Sequence, residues 1–348
     1  MPANPVKRFV KKVLDVALVP IFRYAMESAI AGLSIRFENA AVRFDEVSSK
    51  LLSRVGEINS RLIEQAAAQD IAHFNSVARE QLRRVQSPLR QELAGLRAVI
   101  ASQMPNNPCI HGFKVYAQTD EDGIIEDILG RLTGHSRTFI EIGCGNGLEN
   151  NTHYLALKGY RGCWIDGSED NIVFVKEALG GLNFQDLLIK RSLVDRENIG
   201  ALISELCDFL GTREPGFFSL DIDGNDFYIL AEALKCFRPL TICVEYTAKF
   251  PPPFKIAIGY EPNHRWAGDD YHGASLQSFC DLLVDYKLVA CNLTGANAFF
   301  VRRDQAGPFA DYTLEQLYQP FRENLIDLWA GHRPSLKWLR DQLHDRRM

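Results

Sequence analysis

The chain has 348 residues, 46% hydrophobic content and a formal net charge of -5. This length allows one sizeable domain with an extension, because domains usually have about 100–200 residues. Without a basic excess, the charge argues against a nucleic-acid partner. None of the eight cysteines forms a Cys-x-x-Cys pair, which argues against a zinc ribbon. Scattered cysteines in apolar runs are typical of reduced thiols, so we expect a cytoplasmic protein.

Residues 1–104 are predicted to be helical, with few glycines and many Glu, Arg, Gln, Ala and Leu. Apolar positions recur at alternating steps of four and three from Phe37 to Leu62, which predicts a coiled coil. We interpret this region as an arm for homo-oligomerisation or docking, since an apolar seam needs a partner. The alternative is a helical extension folded back on the main domain.

The first residues form a basic, amphipathic segment. Val6, Phe9 and Val13 share one helical face with lysines beside it, which is compatible with peripheral contact to a membrane surface, such as the inner membrane face. The alternative is a helix packed on protein. The apolar run ends at Phe22 and is shorter than the roughly 20 residues that span a bilayer. Two prolines and two asparagines in 104–108 predict a linker before the next domain.

Strand and helix patterns alternate from residue 109 to about 304, which predicts a mainly parallel sheet with helices on both faces. The predicted strands are 138–142, 162–165, 186–190, 217–222, 240–246, 287–292 and 298–301. The predicted helices are 122–132, 151–157, 169–179, 196–210, 227–234 and 276–285. Residues 305–348 are expected to form a C-terminal helical segment.

A glycine-rich turn follows the first predicted strand. Glu141 ends the strand, glycines stand at 143, 145 and 147, and Asp166 ends the next strand 19 residues later. Glycines let the backbone approach a ligand, and an acid at the second strand end can hold a ribose diol. The alternative is a tight turn without a ligand.

The spacing also separates two kinds of cofactor. Dinucleotide enzymes use Gly-x-Gly-x-x-Gly, with the pyrophosphate on a helix N-terminus. Here the spacing is Gly-x-Gly-x-Gly, and the Glu141 carboxylate would repel a pyrophosphate and attract an ammonium group. A dehydrogenase is therefore disfavoured.

This motif resembles the first motif of class I S-adenosylmethionine-dependent methyltransferases. Segment 115–124 also looks like the sequence that precedes that motif in FkbM-like methyltransferases, although Ala117 and Asp120 depart from its serine and glycine. Residues 220–224 are similar to that family's Lys-Ile-Asp-x-Glu-Gly, without the lysine and the glutamate. The resemblance spans about 113–302.

The resemblance implies an α/β, Rossmann-like seven-stranded methyltransferase sheet that ends in an antiparallel hairpin, with S-adenosylmethionine as cofactor. It further implies O-methylation, with a carbohydrate or other small-molecule acceptor such as a sugar hydroxyl of a surface glycan or natural product. The rival interpretation is an inactive methyltransferase-like scaffold that works through its coiled coil. We take 1–104, 109–304 and 305–348 as the helical, methyltransferase and C-terminal regions.

Site candidates follow from the strand ends, because ligands of open α/β sheets bind there. In the resembling family the first acid lies near the amino-acid end of the cofactor and the second binds the ribose, which here are Glu141 and Asp166. The cofactor-binding candidates are Gln118, Glu141, Gly143, Cys144, Gly145, Gly147, Asp166, Gly167, Ser192 and Asp221.

Methyl transfer to oxygen needs a group that accepts the hydroxyl proton. The candidates for this base are Asp223, Glu245 and His272. The acids at 221–226 are open to three interpretations. They could hold the cofactor ammonium and supply the base, or bind a divalent cation with Glu245. They could also simply form a capped loop in which Asn225 or Asp226 starts the helix, with Asp226 expected as the cap.

Overall fold

The structure is a computed structural model that describes residues 89–180, 184–326 and 334–345. The predicted coiled coil and the basic N-terminal segment lie outside these residues. The chain divides into two compact units, one of Met1–Gln81 with Arg265–Tyr271 and the other of Leu82–His264 with His272–Met348. Among the described helices, none has the length and apolarity needed to cross a bilayer.

The second unit contains a seven-stranded mixed sheet in the order β3-β2-β1-β4-β5-β7-β6. The strands are β1 (Thr138–Ile142), β2 (Arg161–Asp166), β3 (Leu187–Arg191), β4 (Phe217–Leu220), β5 (Thr241–Glu245), β6 (Tyr286–Cys291) and β7 (Asn297–Arg302). Strands β1 to β5 pair in parallel, whereas β7 is antiparallel to both β5 and β6. The predicted seven-stranded α/β sheet with an antiparallel hairpin at its edge is confirmed.

Helices alternate with the strands, as predicted. They are α1 (89–103), α2 (Glu121–Arg131), α3 (His153–Leu157), α4 (Glu169–Ala178), α5 (Ile199–Leu210), α6 (Asp226–Ala233), α7 (Leu276–Leu282), α8 (Leu314–Leu317), α9 (Glu323–Ile326) and α10 (Lys337–Asp345). Helix α5 starts three residues later than expected because the Asp195 side chain accepts the amides of Glu197 and Asn198. The local carboxylate competes with helical hydrogen bonding there.

Both faces of the sheet are buried, which explains the nearly continuous apolar strands. Within β1, Phe139 belongs to one core cluster and Ile140 to the other, because successive side chains point to opposite faces. Glu141 interrupts this apolar pattern on the Phe139 face and is buried at 3% exposure. The fold therefore places one acid inside a core, at the strand end that precedes the glycine turn.

The segments that flank the sheet belong to the same packed unit. Ile100 of α1 and Met104 are buried in the core cluster on the Phe139 face, so the expected linker at 104–108 runs along the core. Leu336, Leu339 and Leu343 from the C-terminal segment are buried in that same cluster. The compact unit thus extends beyond the expected boundaries at 109 and 304, because apolar side chains on both sides fill its core.

Truncation of Leu339 tests whether the C-terminal helix stabilises the unit. We expect Leu339→Ala to lower the free energy of unfolding by about 2–5 kcal/mol, because the side chain is 0% exposed and its removal leaves a cavity. Trp338→Ala is the matched control, since Trp338 is 71% exposed and its loss should cost less than about 0.5 kcal/mol. Urea unfolding of the full chain measures both, and equal effects would contradict this packing.

Candidate cofactor and acceptor site

The glycine turn brings the ends of β1 and β4 into backbone contact. Gly143 has a φ of 89°, and a Cβ added there would lie 1.6 Å from the Asp221 carbonyl oxygen. The Asp221 amide donates to the Ile142 carbonyl at 3.0 Å. Glycine is required at 143 both for its left-handed backbone and for this close approach. Asp221 therefore lies directly beside the turn.

The Asp166 carboxylate fastens the same turn to the end of β2. Its Oδ2 accepts the Gly145 amide at 2.8 Å, and its Oδ1 accepts the Ser168 amide at 2.8 Å. Asn171 Nδ2 also donates to Oδ1, at 3.1 Å, so Oδ2 is the oxygen with a further acceptor position for a ligand donor. Space also remains above the turn, because a Cβ added at Gly145 would meet no atom within 4 Å.

Two residues that follow β3, Ser192 and Leu193, lie beside Asp166 and Gly167. The Ser192 amide donates to the Asp166 carbonyl at 3.0 Å. The Leu193 side chain packs against Gly167, since a Cβ added at Gly167 would lie 2.6 Å from Leu193 Cδ2. Leu193 is 65% exposed. Sequence reasoning missed Leu193, since an isolated leucine after a strand carries no functional pattern.

Glu141 holds the segment that leads from the turn into α3. Its carboxylate accepts the Asn150 side chain and the Asn151 amide, each at 2.8 Å, and it also accepts the amide and hydroxyl of Thr152. Trp164 Nε1 in turn donates to Thr152 Oγ1 at 2.8 Å. Burial raises the pKa of Glu141 to about 7, while these donors act in the opposite direction. The hydrogen bonds that the structure describes for the Glu141 carboxylate are therefore all made to residues 150–152, inside the fold.

The side chains around Glu141 come from residues in register on four neighbouring strands. Glu141 pairs with Trp164 on β2 and with Ser219 on β4, and Ser219 pairs with Cys243 on β5. Asn151 Nδ2 donates to Ser219 Oγ at 3.1 Å and contacts Cys243 Sγ at 3.6 Å. Residues in register share a face of the sheet, so the polar side chains meet beneath the segment after the glycine turn.

A segment before α2 docks onto the glycine turn. Asp122 Oδ2 accepts the amides of residues 115–117 at 2.6–2.8 Å, which fixes this part of the backbone. The Tyr116 ring stacks on His153 with a centroid distance of 3.6 Å, and His153 Nδ1 donates to the Gly147 carbonyl at 2.7 Å. Burial lowers the pKa of His153 to about 4, so its ring is neutral. Gln118 is exposed on this segment.

Three carboxylates converge at the ends of β4 and β5. One oxygen from each of Asp221, Asp223 and Glu245 lies within 4.8 Å of the others. Burial and mutual repulsion raise the pKa of Asp221 and of Glu245 well above their usual values. His272 Nδ1 lies 3.8 Å from Glu245 Oε2. All three base candidates therefore lie at one edge of the sheet.

Asp223 connects this cluster to the turn. Asp223 is an exposed residue, but neighbouring groups partly desolvate its carboxylate and raise its pKa. The nearby His272 charge lowers this pKa, and the Asp166 charge raises it. Its φ of 55° makes it the one non-glycine residue of the described ranges with a left-handed backbone. Such conformations persist where the surroundings enforce them, and they concentrate at functional sites.

Asp226 does not act as the expected helix cap. Asn225 occupies the cap position of α6, without a capping side-chain bond. The Asp226 carboxylate instead accepts the amides of Ile222 and Gly224, both at 2.9 Å, and burial raises its pKa to about 6. The carboxylate therefore folds the acidic loop back on itself, because each of its oxygens accepts a loop amide.

His264 is a further residue that sequence reasoning missed. A Cβ added at Gly224 would lie 2.4 Å from His264 Cδ2, so the imidazole packs directly on the acidic loop. Asn225 Nδ2 donates to the Glu261 carbonyl at 2.8 Å and ties the same segment down. No sequence pattern links positions 224 and 264, because the contact joins two loops.

The remaining candidates contribute mainly through their backbone. Cys144 is buried, and burial raises the pKa of its thiol well above the usual value, so it is not a reactive thiolate. Its amide donates to the Ile165 carbonyl at 3.1 Å. Gly147, with a φ of 72°, packs against Trp164. Cys144 and Gly147 therefore set the path of the turn, and the polar side chains available to a ligand are those of the neighbouring acids.

No protein-family model and no curated protein matches the sequence. Among solved structures, the chain is similar to the O-methyltransferase from Bacillus cereus in complex with SAH, at 16% identity and a TM-score of 0.37, covering 62% of this chain and 91% of that chain. It is also similar to a SAM-dependent methyltransferase from Aquifex aeolicus (13%, TM-score 0.30, 51% and 88%). A third is the N-terminal domain of EvdMO1, in the presence of SAH and D-fucose (11%, TM-score 0.34, 62% and 97%). Identities and TM-scores this low leave function to be argued from the site.

Substitution of two glycines tests the geometry of the turn. We expect Gly143→Ala to cost about 1–2 kcal/mol for the left-handed backbone and a further 1–3 kcal/mol for displacing Asp221. Gly145→Ala should cost only the backbone part, because the space beside it is open. Urea unfolding of both full-length variants provides the comparison. Equal losses would contradict the close approach of Gly143 to Asp221.

Proposed function

We propose that this protein is an S-adenosylmethionine-dependent methyltransferase that methylates a hydroxyl oxygen of a small molecule. The observation that carries the proposal is the joint placement of a glycine turn, a strand-end acid bonded to it, and an acidic cluster at one edge of the sheet. The Asp166 carboxylate accepts the Gly145 amide, and the Asp221 backbone lies against Gly143. A cofactor lying on the turn would have an acid at each end.

In this proposal the two ends of the cofactor meet different groups. The Asp166 carboxylate accepts the ribose hydroxyls, next to the open space over Gly145. Asp221 faces the cofactor ammonium and sulfonium, whose positive charge would favour the ionised form of this carboxyl group despite its raised pKa. Glu141 supports the site by holding the segment at 150–152 in place. Gln118, Gly167 and Ser192 border the cofactor, and Leu193 adds an apolar surface.

The methyl group would then face the acidic cluster. The sulfonium is already electrophilic, so the protein must align the acceptor hydroxyl and remove its proton. Asp223 is our candidate base, with Glu245 and His272 beside it. Its raised pKa makes it a stronger proton acceptor than an ordinary aspartate. Side chains of this kind also accept hydrogen bonds from several hydroxyls, which favours a sugar as the acceptor.

A divalent cation is the alternative occupant of Asp221, Asp223 and Glu245. Carboxylate oxygens are the ligands that such hard cations prefer, and the three groups are close enough to share one ion. The ion would lower the pKa of the acceptor hydroxyl, and the proton would pass to solvent or to His272 rather than to a carboxylate held by the ion. The two roles respond differently to a chelator, so the turnover assay described below separates them.

Cofactor binding tests the proposal against its rivals, a dehydrogenase and an inactive scaffold. We expect the full chain to bind S-adenosylmethionine and not NAD in calorimetric titrations. Asp166→Ala should weaken that binding by about ten- to a hundredfold, because a charged hydrogen bond to the ribose is lost. Asp170→Ala is the control, as Asp170 is an exposed acid in the first turn of α4, the helix that follows Asp166. Preferential NAD binding would support a dehydrogenase, and binding of neither cofactor would support a scaffold.

Turnover tests the base. We expect Asp223→Asn to bind S-adenosylmethionine within a few fold of wild type and to lose about 10²- to 10⁴-fold in rate, because the proton acceptor is gone. The assay measures S-adenosylhomocysteine formation with a panel of methyl hexosides and 6-deoxyhexosides. Wild-type rates in this Asp223 variant would remove it from the mechanism. If EDTA abolishes wild-type turnover and Mg²⁺ or Mn²⁺ restores it, the carboxylates hold a cation.

A further inference from the structure

We propose that Lys114 binds the carboxylate of the amino-acid end of the cofactor and thereby selects S-adenosylmethionine over cofactor fragments that lack it. This inference rests on the proposed methyltransferase function. It concerns a residue that lies outside the motif, on the segment before α2. The proposal has three parts: the fixed position of that segment, the contacts of the Lys114 ammonium, and the charge that the cofactor brings.

The backbone beside Lys114 is held against the glycine turn. Asp122 accepts the amides of the next three residues, at 2.6–2.8 Å. Tyr116 stacks on His153, and His153 donates to the carbonyl of Gly147. Lys114 is thus two residues from a ring that packs on a residue bonded to the turn, so its stem starts from a defined point.

The Lys114 ammonium bridges this segment to the residues after the turn. Its Nζ donates to the Gln118 carbonyl at 2.9 Å and lies 3.5 Å from Glu149 Oε1. The Lys114 side chain is 21% exposed, whereas that of Glu149 is 56% exposed. An ammonium has three donors, and the contact to Glu149 is long. A ligand carboxylate could therefore replace Glu149, which can turn into solvent.

The cofactor supplies such a carboxylate. Its amino-acid end carries one ammonium and one carboxylate, and the acids Asp166 and Asp221 lie at the turn. These acids suit the ammonium and repel the carboxylate, which needs a positive partner when it leaves water. Within the described ranges, Lys114 is the cation whose ion pair reaches segment 143–152. It therefore completes the charge pattern of the zwitterion.

The experiment compares two ligands that differ only by this carboxylate, S-adenosylmethionine and its decarboxylated analogue, by calorimetry with the full-length protein. Wild type should prefer S-adenosylmethionine by about ten- to a hundredfold, since hydrogen bonds between charged groups are the strong ones. Lys114→Met should lose most of this preference and bind the decarboxylated analogue as wild type does. Lys114→Arg should retain the preference, because the charge remains.

Two controls separate a local charge effect from a general one. Lys158→Met removes another lysine near α3, which pairs with Glu126, and should keep the wild-type preference. Glu149→Gln should bind S-adenosylmethionine at least as tightly as wild type, because a competing carboxylate is removed. Equal losses for both ligands in Lys114→Met, or an unchanged preference, would overturn the role of Lys114. If Lys114→Met does not fold, the wild-type protein alone still tests the role of Lys114, because equal binding of the two ligands would overturn it. Binding of neither ligand to wild type would instead overturn the proposed methyltransferase function.

Discussion

The buried carboxylate of Glu141 is the group on which the site is built. It stands at the end of a core strand and accepts hydrogen bonds from three consecutive residues, 150–152. Burying a carboxylate is costly unless donors surround it, so those residues must stay where they are. The glycine turn lies between the strand and these donors. Its path is thereby fixed at both ends before a ligand arrives.

Other contacts extend this constraint across the sheet edge. Gly143 admits the backbone of Asp221, and the Asp166 carboxylate fastens Gly145 to β2. Asp226 folds the acidic loop so that Asp223 adopts its left-handed backbone. The first two contacts join the glycine turn after β1 to the ends of β4 and β2. The result is a sheet edge at which several carboxylates are held close together despite their repulsion.

Crowded carboxylates of this kind have a chemical consequence. Their pKa values are raised by burial and by one another, so their close packing is most favourable with a positive or proton-donating ligand between them. A sulfonium cofactor with an ammonium group brings positive charge, and an acceptor hydroxyl brings a proton. The single carboxylate of the cofactor is the group that this edge does not favour. Lys114, from outside the sheet, offers that group its partner.

The sequence by itself determined the sheet, because apolar strands of regular spacing report burial on both faces, and it determined the turn, because Glu141, the glycines and Asp166 are local signals. It could not assign residues 150–152 as the partners of Glu141. The helix was predicted to start at 151 but starts at His153, so these residues belong to the preceding loop and the helix cap. It also could not find Lys114, His153, Leu193 or His264, since each acts through a residue distant in sequence or through a loop contact. Only the tertiary structure decided which carboxylates face inward, which face the ligand edge, and which cation stands beside them, because those choices depend on strand register and loop packing.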